Sequence, residues 1–185
     1  MLLVRHGATA WSESARHTGR TDVPLLADGR RQAASLARLL APMPVHRVLS
    51  SPLQRAVETC RLVGLGDRAE IDPDLAEWDY GEYEGLTTAE IRARRPGWSL
   101  WNDGVPGGEH PADVGRRADR VIGRARSAGG TTACFAHGHL LRVLAARWVG
   151  LPPIGGRLWA LGPGAMSLLG WERETPVIET WNRAP

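Results

Sequence analysis

Leu2, Leu3 and Val4 form an apolar run that stops at Arg5-His6-Gly7. A run without alternation predicts a strand buried on both faces, delivering polar residues at its C-terminal end. Residues 8–25 lack periodicity and read as loop with a short turn. Ala33, Leu36, Ala37 and Leu40 recur at helical spacing and predict a helix over Ala27–Leu40, with Asp28 at its positive end and Pro42 and Pro44 stopping it. Val45–Leu49 predicts a second strand. It runs into Ser50-Ser51-Pro52, with Ser51 as the cap and Pro52 as the first residue of a helix reaching Val63. Ile71–Tyr80 is irregular and carries Glu77.

Thr87 and Glu90 have capping-box spacing and open a further helix to Arg94. Residues 96–111, rich in Gly, Pro and Trp, are too long for a plain connection and read as a functional loop or lid. Pro111–Arg126 returns to helix, with Val114, Ala118, Val121 and Ile122 on one face. Thr131–Ala136 is a third clear strand. It ends in His137-Gly138-His139 and feeds a helix through Leu141, Leu144 and Trp148. Ala165–Trp171 and Val177–Trp181 predict two closing strands around a charged turn. The alternation of strand and helix predicts an α/β three-layer sandwich: a mostly parallel central sheet flanked by helices. The chain of 185 residues suits a single domain over residues 1–185, with an insertion at 80–108 over the rim of a site.

Composition narrows the function classes. Hydrophobic residues make up 43% and charged residues 23%, enough to bury a core, so disorder throughout is not expected. No stretch approaches a membrane span, and the expectation is a cytoplasmic protein without a membrane partner or signal peptide. Cys60 and Cys134 sit in apolar surroundings and read as small core residues of a reducing compartment. The net charge is +3 and all 23 basic residues are arginine, but these are scattered among acids, so no nucleic-acid partner is expected.

Three strand-to-helix junctions carry unusual polar groups: Arg5-His6-Gly7, Ser50 to Arg55, and His137-Gly138-His139. In open α/β sheets ligands bind at the carboxyl ends of strands. Were these strands neighbours, Arg5, His6, Arg55 and His137 would meet in one pocket, with Glu77 from the irregular segment. Guanidinium groups grip phosphoryl oxygens in paired, charge-assisted bonds, and His137 offers another donor. A neutral His6 could attack phosphorus in line, and nearby arginines disfavour its protonated form. Glu77 could protonate the leaving alkoxide and then activate water. Taken singly, each residue has a plainer reading. Arg-His-Gly could be a structural turn, Arg55 an exposed helix residue and Glu77 a surface acid. The His-Gly-His triplet could equally be a metal pair. Only the combination points to phosphate.

Leu3-Val4-Arg5-His6-Gly7-Ala8-Thr9 resembles the signature of the histidine phosphatase superfamily, the group of phosphoglycerate mutases and related acid phosphatases. Further matches follow in the same order: Thr18-Gly19 with Asp22, Ser50-Ser51-Pro52 with Arg55, Glu77 with Gly81 and Glu84-Gly85, and Ala136-His137-Gly138-His139 with Arg142. Within the family the chain is similar to bacterial broad-specificity acid phosphatases once classed as mutases, and to the fungal sedoheptulose bisphosphatase. The resemblance implies a phosphoglycerate mutase-like fold. It also implies metal-independent phosphomonoester hydrolysis through a phosphohistidine, without cofactor, on small phosphorylated metabolites such as sugar phosphates.

By the resemblance His6 is phosphorylated, Glu77 is the proton donor, and Arg5, Arg55 and His137 bind the phosphoryl group. Thr18 and Gly19 stand where mutases contact substrate. Ser12 replaces a common asparagine and keeps one donor. Arg20 could hold a second anionic group, and His17, Trp78, Trp98, Trp101 and His139 complete the expected selectivity wall. The alternative is a phosphoglycerate mutase-type phosphoryl transferase, and the chain lacks the extra length usual in true mutases. A metallohydrolase on His6, Glu77, His137 and His139 is a further rival, which Arg5 and Arg55 would oppose by repelling a cation. The tryptophans and the final strands would also permit a homodimer.

Overall fold

The computed structural model describes residues 1–185. Strands β1 (Leu2–Arg5), β2 (Val45–Ser50), β3 (Ala69–Ile71), β4 (Thr131–Ala136), β5 (Met166–Glu172) and β6 (Thr175–Arg183) form one sheet in the order β3-β2-β4-β1-β5-β6. The pairs β3–β2, β2–β4 and β4–β1 are parallel, whereas β5 runs antiparallel to both β1 and β6. The three junctions singled out from sequence therefore end on adjacent strands β2, β4 and β1.

The helices are α1 (Ala10–Glu13), α2 (Ala27–Leu40), α3 (Gln54–Leu62), α4 (Thr88–Arg94), α5 (Leu100–Asp103), α6 (Pro111–Ser127) and α7 (Gly138–Trp148). Strand alternation splits the core into two layers. Leu3, Cys134 and Ala136 face α6 and α7, packing with Val114, Val121, Leu140 and Leu144. Leu2, Val4 and Phe135 face the other way, onto Leu36, Leu40 and Cys60 of α2 and α3. Both faces are covered, which explains why the strands read as unbroken apolar runs. Burial pushes both cysteine thiols up to about 12, so they stay protonated. No helix is long and apolar enough to cross a membrane.

The helix entering from β2 starts later than its sequence suggests. Ser51 does not cap it; α3 begins at Gln54 behind Leu53, which makes no side-chain cap bond. The Ser51 oxygen accepts from the Leu53 N–H at 3.3 Å, ahead of the helix, and meets His137 Nε2 at 2.7 Å. Asp22 supplies the cap from a distant loop, its carboxylate accepting from the Gln54 N–H at 2.9 Å. The 96–111 segment also differs from a free lid. Trp98 is 2% exposed and donates from Nε1 to the Gly104 carbonyl, while Leu100 and Val105 join the core. Strand β3 was hidden from sequence because its three residues are too few to show a period.

The turn after β1 presses against the start of α2. A Cβ on Gly29 would lie 2.1 Å from the Ala8 carbonyl oxygen, so the two backbones touch. Gly123, in the middle of α6, has open space where a Cβ would go. Gly29→Ala is expected to destabilise the protein by about 1–3 kcal/mol through overpacking. Gly123→Ala should stabilise it by about 0.5–1 kcal/mol through helix propensity. Urea denaturation of the two variants checks the opposite signs.

Candidate active site

The carboxyl ends of β1 and β4 open into a cleft of about 260 Å³, lined chiefly by polar groups, among them Arg5, His6, Glu77, Tyr80, His139 and Arg142. His6 follows β1 directly, and its Nδ1 lies 2.7 Å from the Gly7 carbonyl oxygen. A carbonyl can only accept, so Nδ1 carries the proton and Nε2 keeps its lone pair. Burial holds His6 well below the ordinary imidazole value, and the charges of Arg5 and Arg55 push the same way. Arg5 donates from Nη1 to the Leu161 carbonyl, whereas its buried Nε has no partner.

Glu77 reaches the cleft from the irregular segment before Tyr80. Arg117 of α6 fixes that segment by donating to the carbonyls of Asp74, Ala76 and Glu77, and is itself paired with Glu109 at 2.7 Å. The Glu77 carboxylate caps α7: Oε1 accepts from the N–H groups of Trp78 and Leu140, both at 2.9 Å, and Oε2 from His139 N–H at 3.0 Å. The positive end of α7 thus holds the acid in place. Oε2, with one bond, retains a free lone pair.

Arg55 and His137 stand behind the cleft wall, both 0% exposed. The Arg55 Nε donates to His137 Nδ1 at 3.2 Å, so the His137 proton is on Nε2, which donates to Ser51 Oγ at 2.7 Å. Arg55 Nη1 donates to the Thr21 carbonyl at 2.9 Å, and Nη2 to those of Thr18 and Gly19, both at 3.0 Å. Four of the five guanidinium donors are committed, and Nη1 also lies 3.9 Å from Asp22 Oδ1. Burial is the main cause keeping His137 neutral, with Arg55, His6 and Arg5 adding to it.

Other expected residues divide. Thr18 and His139 line the cleft. His139 Nδ1 lies 2.6 Å from the Tyr80 hydroxyl. Burial, then the Arg142 charge, hold His139 neutral, and burial raises Tyr80 well above its ordinary value, so this bond joins two neutral groups. Ser12 lines the cleft, but its hydroxyl donates to the Thr9 carbonyl and accepts from the Thr9 N–H, each at 2.9 Å. Gly19 turns its N–H to Glu84, away from the cleft. Arg20 is 83% exposed and pairs with Asp79 at 2.7 Å, outside the cleft. His6, Glu77, His137 and His139 do not assemble into a group that could hold a metal ion.

Tyr80, Arg16 and Arg142 line the cleft without having been named for it. Arg142 was accessible from sequence: it follows His139 by three residues on α7 and so shares its face. Its guanidinium lies 4.6 Å over the Trp101 ring and donates from Nε to the Gly156 carbonyl at 2.9 Å. Tyr80 and Arg16 fall in segments that match the family, but neither lies in a periodic element, so no pattern placed them in the cleft.

The family model of the histidine phosphatase superfamily, branch 1, matches residues 1–184. The chain belongs to this superfamily and is an enzyme of its phosphoric monoester hydrolase type. It is 41% identical over 176 residues to an acid phosphatase of Mycobacterium tuberculosis, covering 93% of this chain and 86% of that one. It is 37% identical to the sedoheptulose 1,7-bisphosphatase of Saccharomyces cerevisiae, over 81% of this chain and 67% of the other. Among solved structures, that of an open reading frame product of Mycobacterium tuberculosis superposes with a TM-score of 0.95 at 38% identity, covering 99% of this chain and 96% of that one. A mycobacterial glucosyl-3-phosphoglycerate phosphatase solved with VO3 superposes at 0.88, with 28% identity over 98% of both chains. The chain therefore shares its fold with these proteins.

His17 beside the cleft is 8% exposed, and burial lowers it to about 4. The folded state keeps this ring neutral, while the unfolded chain takes up a proton below about 6.5. The contribution is complete above that value and is lost as the pH falls towards about 4. Unfolding free energies should decline from pH 7.5 to pH 5, and His17→Gln should flatten the slope in that window. Denaturant titrations at several pH values measure it.

Proposed function

We propose that the protein is a metal-independent phosphomonoesterase that acts through a phosphohistidine on His6, on small phosphorylated metabolites. The observation that carries this reading is the His6 ring, pinned through Nδ1 to its own chain with Nε2 free, in a cleft shared with Arg5 and Glu77. Nε2 attacks phosphorus in line. Arg5 in the cleft and Arg55 behind its wall supply positive charge for the phosphoryl oxygens, where phosphoryl transfer gains most. His137, whose ring lies 5.2 Å from that of His6, is held neutral between Arg55 and Ser51 and gives its N–H to a phosphoryl oxygen by exchanging Ser51.

In its protonated form Glu77 gives the proton from Oε2 to the departing alkoxide. As a carboxylate it then takes a proton from the water that cleaves the N–P bond, releasing inorganic phosphate and restoring both residues. Small sugar phosphates are the substrate class that the relatives support. Those relatives include the sedoheptulose 1,7-bisphosphatase and the glucosyl-3-phosphoglycerate phosphatases. The volume of about 260 Å³ and the polar lining suit a short polyhydroxylated carrier. His139, at the cleft wall, offers a ring nitrogen to a carrier hydroxyl.

The test is phosphate release from a panel of phosphomonoesters and sugar bisphosphates with chelator present, alongside rapid-quench labelling. His6→Ala should abolish both turnover and the acid-labile phosphoenzyme; near-normal turnover would sink the covalent route. Isomerised product with little free phosphate would instead reveal a transferase. Glu77→Gln should slow esters with poor leaving groups by about 10²–10⁴-fold. Aryl phosphates, which leave without a proton, should suffer much less, and an equal loss for both would remove the acid role.

A further inference from the structure

The backbone strap from Thr18 to Asp22 lies between two opposite charges. On one side Arg55 donates to the carbonyls of Thr18, Gly19 and Thr21 at 3.0, 3.0 and 2.9 Å. On the other side the Glu84 carboxylate accepts from the N–H of Gly19 at 2.9 and 3.0 Å and from that of Thr21 at 3.0 Å. The Thr18 carbonyl and the Gly19 N–H belong to one peptide unit, and in a trans amide they point in opposite directions. A single peptide group therefore joins anion to cation, each end polarising the other.

The fit admits little slack. A Cβ on Gly19 would lie 2.5 Å from the Trp78 carbonyl oxygen and 2.7 Å from Glu84 Oε2. The strap is anchored at both ends as well: Gly85 N–H donates to the His17 carbonyl at 2.8 Å, and Gln54 holds Asp22. From Arg55 the chain of bonds continues through its Nε to His137 and on to Ser51. Glu84 itself is not among the residues that line the cleft.

We propose that Glu84 is a positioning residue for the phosphoryl site, acting through the Thr18–Gly19 peptide to hold Arg55, and through Arg55 to orient His137. The inference rests on the phosphomonoesterase reading, in which Arg55 and His137 serve the phosphoryl group. Without the carboxylate, the strap loses the acceptor of two N–H groups, and its carbonyls no longer hold the guanidinium at one orientation. Glu84→Gln keeps an amide oxygen that can accept from Gly19 N–H while removing the charge, so it should fall between the wild type and Glu84→Ala.

The experiment compares the wild type, Glu84→Gln and Glu84→Ala in three measurements well below their melting temperatures. These are kcat/KM for an aryl phosphate, the inhibition constant of orthovanadate, and direct calorimetric binding of orthovanadate. The expected result is a loss of kcat/KM and of vanadate affinity of about tenfold or more in Glu84→Ala, partly restored in Glu84→Gln. If Glu84→Ala does not fold, the loss in Glu84→Gln alone decides. Folded variants with lowered melting temperatures but with kcat/KM and vanadate affinity within about twofold of the wild type would overturn the proposal, leaving Glu84 a purely structural residue. Absence of vanadate binding and turnover in the wild type itself would overturn the functional reading, and this proposal with it.

Discussion

A guanidinium with no solvent contact must find every partner inside the protein, and that of Arg55 organises the structure around it. Its donors reach the carbonyls of the loop after β1 and a ring nitrogen at the end of β4, while its own chain follows β2. Three chain segments far apart in sequence are fixed to one another by one cation. Burial pulls its ionisation downward, and the carboxylates of Glu77, Asp22 and Glu84 oppose that pull. The carbonyl cage and these anions together offset the desolvation that an isolated buried charge would suffer.

A second constraint is the start of α7. Glu77 closes the helix N-terminus with its carboxylate, so one interaction both caps an element and fixes an acid in the cleft. The histidines nearby are kept neutral by burial, reinforced at His6, His137 and His139 by positive neighbours. Neutral imidazoles with set tautomers can attack or donate without first shedding a proton. Preorganisation of this sort suits a reaction whose barrier is lowered mainly by placement and charge.

The rim is built as a wall. Trp78 and Trp98 are buried, and Trp101 stands edge-on to both Trp78 and His139 while its face meets Arg142. Aromatic packing of this type holds the mouth of the cleft in shape and sets Arg142 within it.

The strands and helices were legible in the sequence because each repeats its apolar residues at its own period: β1, β4, α2, α6 and α7 lie almost where the pattern puts them. The convergence of the polar junctions was legible too, because Arg5, His6, Arg55 and His137 fall at strand ends, and parallel strands bring those ends together. Orientation was not legible. That Ser12 spends its hydroxyl on Thr9, that Arg20 turns to Asp79, and that Arg55 faces a loop are outcomes of competition among partners distant in sequence. The same holds for Ser51, which reads locally as a cap and, besides the Leu53 N–H, binds His137 from a distant strand. Periodicity encodes which face of an element is buried, and that much the chain determined by itself. The choice of partner for each polar group waited for the tertiary structure, because a hydrogen bond depends on position and angle in space, and these exist only once the sheet has assembled.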